Sequence, residues 1–209
     1  MTKDDQSQPA HRGALADLVE RRRSVRDYTP ADVPAAALQR LLRNAQGDSQ
    51  SDAGGWRNAP SAHALYPLEL FVIARRVTDV EAGLYAIERE HGRLAKRLGT
   101  IEPGALLATS LADDEWLESA AVVIVVAADQ QTARAHFADQ QPDGRRGDRY
   151  VDIEAGAVLQ TLHLSAEAEG LGGVIVMGFD ESALARQLML PAERAPVALF
   201  CLGVPAGEV

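Results

Sequence analysis

Apolar positions along this chain recur with two spacings, one helical and one extended, and the change between them marks out the elements. Leu15, Leu18, Val19 and Arg22 share a helical face, which predicts a short amphipathic helix over 13–23. Thr29-Pro30 breaks the chain, and Pro34 opens a second helix with Leu38, Leu41 and Leu42 inward and Gly47 near its end. Residues 47–59 (GDSQSDAGGWRNA) predict a polar, Gly-rich loop. LELFVIAR (68–75) reads as a strand, and GLYAIERE with RLAKRL, turning at His91-Gly92, reads as a hairpin. Pro103 predicts the start of a helix to about Leu117.

AAVVIVVAA (120–128) is apolar throughout and rich in β-branched residues, so it predicts a strand buried on both faces. The polar stretch 129–149 predicts a long mobile loop, a candidate lid. Residues 150–169 predict the longest helix, with a stripe of Val151, Ala155, Val158, Leu159, Leu162 and Ala166, closed by Gly170. GGVIVM (172–177) predicts a strand, Asp180 caps a helix that ends before Pro191, and APVALFCLG (195–203) predicts the last strand. This order does not alternate as βαβ units do. It predicts an α+β fold in three layers, helices around one mixed, largely antiparallel sheet. Residues 1–12 predict a disordered polar tail, and 13–209 a single domain.

Composition narrows the function classes. The net charge of -9 argues against nucleic acid as a partner, because such binders carry a basic face. The single cysteine, Cys201, forms no intrachain disulfide and sits in an apolar run, where a buried inert thiol is expected. MTKDDQSQP lacks the basic-then-apolar pattern of a signal peptide. The longest apolar run falls well short of the ~20 residues a membrane helix needs. A soluble cytoplasmic protein without a membrane partner is expected.

Several familiar sites are missing from the sequence. There is no GxGxxG or GxxxxGK[ST] for a nucleotide, and no HExxH or CxxC for zinc. Neither Ser61 nor Ser24 lies in GxSxG, which argues against a serine hydrolase. The five histidines (11, 63, 91, 136 and 163) are scattered, and His163 reads as a surface or satisfied core residue rather than a ligand.

What stands out is RRRSVRDY at 21–28, a positive knot in an acidic chain. Arg22, Arg23 and Arg26 offer forked donors that suit phosphate oxygens, and Ser24 adds a hydroxyl. The same arginines could instead form a solvated helix end that answers the dipole. Pro60-Ser61-Ala62-His63 is small and turn-like before a strand, and Val176-Met177-Gly178 leaves a strand end with little bulk. Either stretch could approach a flat ring closely, or be a plain turn.

Taken together, RRRSVRDY, PSAHALYPLELFV, GLYAIE, RYVDIEAGAVLQTLHLSAEAEGLG, VMGFD and RAPVALFCLGVP resemble the nitroreductase-like family of flavin enzymes over residues 15–205. The likeness is greatest to its SagB-type branch, related to thiazoline and oxazoline oxidases. The resemblance implies a homodimer with FMN at the interface and two-electron, ping-pong transfer from NAD(P)H to a small-molecule acceptor at flavin N5. It implies that Arg22, Arg23, Ser24 and Arg26 hold the phosphate, ribityl chain and pyrimidine edge. Pro60, Ser61, Ala62 and His63 would reach the flavin from the other subunit, and Val176, Met177 and Gly178 would lie along the ring. No side chain is assigned as a general acid or base, and no metal is expected.

Two further functions stay open at this point: an azoline dehydrogenase of peptide maturation, and a non-catalytic flavin-binding or scaffold subunit. The sequence departs from the azoline oxidases where Pro142 and Asp143 replace their Lys-Tyr pair. It also has no basic residue in GVPAGEV, which leaves a phosphate to the N-terminal arginines, and it has His63 where the branch more often has Gly.

Overall fold

The computed structural model describes residues 10–49, 55–112 and 114–207. Six strands carry the apolar runs: β1 (Leu68–Ala74), β2 (Gly83–Glu88), β3 (Arg93–Gly99), β4 (Val122–Ala128), β5 (Gly172–Val176) and β6 (Ala195–Gly203). They form one sheet in the order β3-β2-β1-β4-β6-β5. Every pairing between named strands is antiparallel, so the mixed sheet expected from the sequence is antiparallel throughout. β4 is wholly buried, as a strand with no polar position must be.

The helices are α1 (Ala10–Arg21), α2 (Ala35–Gln46), α3 (Trp116–Ser119), α4 (Gln130–His136), α5 (Arg146–Ala168) and α6 (Glu181–Gln187). Alternation along the strands sorts their side chains onto two faces. Leu68, Leu70, Val72, Ile124 and Val126 meet α2 and α5. Phe71, Ile73, Val123, Val125 and Leu199 meet Leu117 and the α6 residue Leu184. Cys201 lies in this second core, where burial pushes its thiol up to about 12. The three-layer α+β expectation therefore describes the molecule.

Several local expectations change. α1 begins at Ala10, inside the stretch expected to be a disordered tail; residues 1–9 lie outside the described residues. No long helix follows Pro103. Gly104 takes φ 78°, which turns the chain, and Leu107–Thr109 makes only a 3-10 turn before the four-residue α3. The expected mobile loop at 129–149 is largely helical. Asp129 caps α4 by accepting from Thr132 N–H at 2.9 Å, and Arg134 pairs with Asp148 at 2.6 Å across to α5. α5 consequently starts four residues earlier than its apolar stripe implies. Gly170, at φ 68°, follows the end of α5, where Leu171 N–H returns to Ala166 O at 2.9 Å. No helix among the described residues is long and apolar enough to cross a membrane.

Candidate active site

The arginine knot leaves α1 as an extended segment and runs along β5, the edge strand of the sheet. Ser24 bridges Gly173 in parallel, and Val25 N–H donates to Gly173 O at 3.0 Å. The buried His163 of α5 places Nε2 2.9 Å from the same carbonyl, so one oxygen ties helix, edge strand and knot together. Burial holds the His163 pKa below its usual range, so the ring is neutral and Nε2–H donates. Close approach requires glycine here. A Cβ at Gly172 would strike the Val25 side chain, and one at Gly173 would strike Phe200.

Tyr28 fastens the far end of the knot. It is buried, donates from its hydroxyl to Val25 O at 2.6 Å and packs on Gly203. Thr29 N–H donates to Val204 O at 2.8 Å, and Ala206 N–H donates to Asp27 O at 3.0 Å. The backbone of the knot is thus fixed while its charges face outward. Arg23 and Arg26 are exposed, Arg22 is half-buried, and none of the three forms a salt bridge among the described residues. By contrast the neighbouring Arg21 is tied to Glu167 at 3.0 Å. Arg26 also lies over the Trp116 ring, 5.2 Å from its centroid.

At the other end of β5, Val176 is buried and Met177 turns out to 61% exposure. Gly178 O accepts from Leu111 N–H at 2.7 Å, while Gly178 N–H meets no acceptor among the described residues. A free backbone donor, an exposed Met177 and guanidiniums that meet only backbone carbonyls among the described residues are therefore all carried on one sheet edge. This edge unites two of the three segments singled out in the sequence.

The third segment lies elsewhere. Pro60 is exposed, Ser61 and Ala62 are half-buried, and the turn packs on the N-terminal half of α5 beside Tyr150 and Glu154. His163, which touches the knot, is nine residues further along, about 14 Å at the helical rise. Within one chain the 60–63 turn does not join the knot. The turn is strained: His63, Ala64 and Tyr66 all have positive φ, at 54°, 53° and 51°. Ser61 Oγ accepts from Tyr66 N–H at 2.8 Å. His63 Nδ1 lies 3.1 Å from His136 Nε2, and the His63 ring is 5.1 Å from that of Phe137. Burial raises the pKa of Glu154, while the Ser61 hydroxyl and the Arg57 charge pull it back down. Pro142 and Asp143 sit in an exposed turn, where Asp143 accepts from Arg145 N–H at 3.0 Å.

His163 is the satisfied core histidine that the sequence offered as one of its two readings. Sequence reasoning gave no role to Tyr28, Glu154 or His136. The tyrosine was signalled by its place at the end of the basic run, and the other two carry no local motif.

A six-stranded antiparallel sheet covered by helices on both faces, with an arginine-bearing segment along its edge strand, defines an α+β fold of three layers. The sequence pattern of the Nitroreductase family matches residues 19–204, and the chain belongs to that family of oxidoreductases. It is 33% identical over 190 residues to a Methanocaldococcus jannaschii protein given the provisional name nitroreductase MJ1384, covering 90% of each chain. It is 27% identical over 210 residues to the NADH dehydrogenase of Thermus thermophilus, covering 90% of this chain and 85% of that one. Among solved structures it is similar to a provisionally named nitroreductase from Anabaena variabilis, at a TM-score of 0.74 and 25% identity. That match covers 91% of this chain and spans 38% of the Anabaena chain.

Proposed function

We propose that this protein is an FMN-dependent oxidoreductase that passes two electrons from NAD(P)H to a small-molecule acceptor. One observation carries the reading: three arginines of an acidic chain, Arg22, Arg23 and Arg26, have no carboxylate partner among the described residues and lie on a sheet edge that ends in Met177 and Gly178. The donor set fits the cofactor. Arg22, Arg23 and Arg26 would hold the phosphate, the ribityl chain and the pyrimidine edge, with Ser24 adding a hydroxyl. The Gly178 N–H would meet the ring edge, and Met177 would lie against its face. FMN, when bound, supplies the hydride chemistry at its N5. The chain's own part is to fix the ligand between charge and backbone donors and to keep one face open. Positive charge close to the ring also favours its reduced, anionic form.

The reading includes a homodimer. Pro60, Ser61, Ala62 and His63 stand apart from the knot within one chain, so a second subunit would bring them to it. Leu15 and Val19 on α1 are 58% and 52% exposed and Ile153 on α5 is 62% exposed, apolar surface that association would cover. The names of the Thermus and Methanocaldococcus relatives support a nicotinamide donor and a reducible acceptor.

The test is an FMN titration followed by fluorescence quenching. Wild-type protein is expected to retain flavin absorption after excess FMN is removed, and to bleach on anaerobic addition of NAD(P)H. Arg22→Ala and Arg26→Ala should each weaken FMN binding several-fold with the fold intact. Wild-type affinity in both variants would sink the assignment.

A further inference from the structure

Where β1 begins and β4 ends, a cavity of about 440 Å³ opens at the end of the sheet. Leu65, Leu70, Ile87 and the Tyr66 ring give it apolar walls, and Arg57, Arg89 and Arg194 reach it. The three arginines differ in what answers their charge. Arg89 is paired with Asp48. Arg194 holds Glu69 at 2.7 Å and lies 3.1 Å from Asp129. The Arg57 guanidinium has no hydrogen bond and no salt bridge among the described residues. It lies flat on Tyr66, with its central carbon 4.4 Å from the ring centroid.

That stack is fixed by the backbone. Arg57 N–H donates to the Tyr66 hydroxyl at 3.1 Å, and Tyr66 N–H donates to Ser61 Oγ at 2.8 Å. Burial, and after it the Arg89 charge, lower the Arg57 pKa; Glu154 and Asp48, which make no salt bridge to it, offset this only in part. A half-buried guanidinium, braced and without a carboxylate partner among the described residues, lines this open cavity. Asp48 answers Arg89, and Glu69 and Asp129 answer Arg194, so Arg57 is the one lining arginine with no carboxylate partner among the described residues. A single carboxylate can answer that one guanidinium with a forked pair of hydrogen bonds. The lining is mixed, and beside Arg57 the Tyr66 ring, Leu65 and Ile87 form an apolar flank on which a compact apolar body could rest.

We propose that this cavity binds a small monocarboxylate with a compact apolar body, its carboxylate forked on Arg57 and its body against Tyr66, Leu65 and Ile87. The site is separate from the arginine knot and does not depend on the flavin reading. It bears on the strained turn all the same, because Leu65 and Pro67 line both this cavity and the small space beside Ser61.

Isothermal titration calorimetry on the purified full chain tests this, with benzoate as the probe and inorganic phosphate as the comparator. Benzoate should bind more tightly than phosphate. Arg57→Gln should weaken benzoate by about tenfold or more, the loss expected when a charge-assisted pair is removed. Arg57→Lys keeps the charge without the fork and should fall between the two, and it carries the test alone if the Gln variant does not fold. The proposal is overturned if wild-type protein does not bind benzoate at millimolar concentration. Phosphate binding more tightly than benzoate would overturn it too. So would equal benzoate affinity in the wild type and the Arg57 variants, since the probe would then sit elsewhere, for instance at the knot.

Discussion

Tyr28→Phe separates the scaffold of the knot from its charges. The substitution keeps a ring of nearly the same volume against Gly203, so packing is preserved. It deletes one hydroxyl and with it the 2.6 Å bond to Val25 O. That carbonyl belongs to the residue between Ser24 and Arg26, and nothing else among the described side chains donates to it. Leaving a buried acceptor unmet costs about 1–3 kcal/mol. This carbonyl is only partly buried, so the lower half of that range applies, about 1–1.5 kcal/mol. For a domain of this size that corresponds to a fall in Tm of about 2–6 °C. Burial keeps the Tyr28 pKa far above its ordinary value, so the hydroxyl stays protonated and the loss should not vary with assay pH. Thermal unfolding of flavin-free protein measures the structural part, and an FMN titration measures what a loosened knot does to the ligand. A wild-type Tm together with wild-type FMN affinity would refute the claim that this phenol braces the arginines. A lowered Tm with unchanged FMN affinity would show that the hydroxyl serves the fold alone.

Gly173→Ala should be the more damaging change at the same junction. Its Cβ would strike Phe200 and come to 2.8 Å of Cys201 O, a strand backbone atom that cannot move alone; overpacking of about 1–3 kcal/mol is expected, read as a lowered urea midpoint with an unchanged slope. A midpoint equal to wild type would mean that the edge strand is looser than its contacts imply. His163 sets a pH dependence. Its folded pKa lies below the unfolded value of 6.5, so the unfolded chain takes up the proton first, and stability is full above 6.5 and declines as pH falls from there. The His163→Phe variant should show a shallower decline between pH 6.5 and 5, and parallel curves for the two proteins would contradict the assignment.

The sheet was largely legible because its strands announce themselves. β4 has no polar position, and β6 spans the 195–203 expected from APVALFCLG. α2 follows its Leu38, Leu41 and Leu42 stripe between Pro34 and Gly47. Errors came where short-range polar chemistry outweighs periodicity. Between 103 and 116, Gly104 turns the chain, Thr109 Oγ1 donates to Leu106 O at 2.7 Å, and the Ser110 hydroxyl donates to Asp114 at 3.0 Å. These local bonds replace helical ones. α4 was hidden for the opposite reason. Its inward positions are only Ala133 and, just past its end, Phe137, too few for a visible stripe, although the Asp129 cap was there to be read. α1 shows a third limit. Its apolar residues do fall on a helical face, but Leu15 and Val19 stay exposed in the single chain, and amphipathicity cannot say whether a face meets its own core or another molecule.

The same limit applies to the candidate site. In the sequence only the family resemblance linked the knot to the Val176–Gly178 strand end; the structure joins them through β5, where Ser24 bridges Gly173 at one end and Met177 emerges at the other. The 60–63 turn could not be placed, since its partners, Glu154 and the His136–Phe137 pair, belong to the face of α5 away from the knot and to the end of α4, a helix read as loop. Its geometry now argues for a use. Three non-glycine residues at positive φ within four positions cost free energy that a plain surface turn would shed by relaxing or by recruiting glycine. The turn is instead over-determined, by Ser61 to Tyr66, by His63 to His136 and by the Tyr66 ring under Arg57. A chain that spends stability to hold an exposed turn rigid is preorganising it for contact with something outside itself. A second subunit bringing this turn against the first subunit's knot would give that rigidity a purpose and would complete, across two chains, a site that each holds in halves.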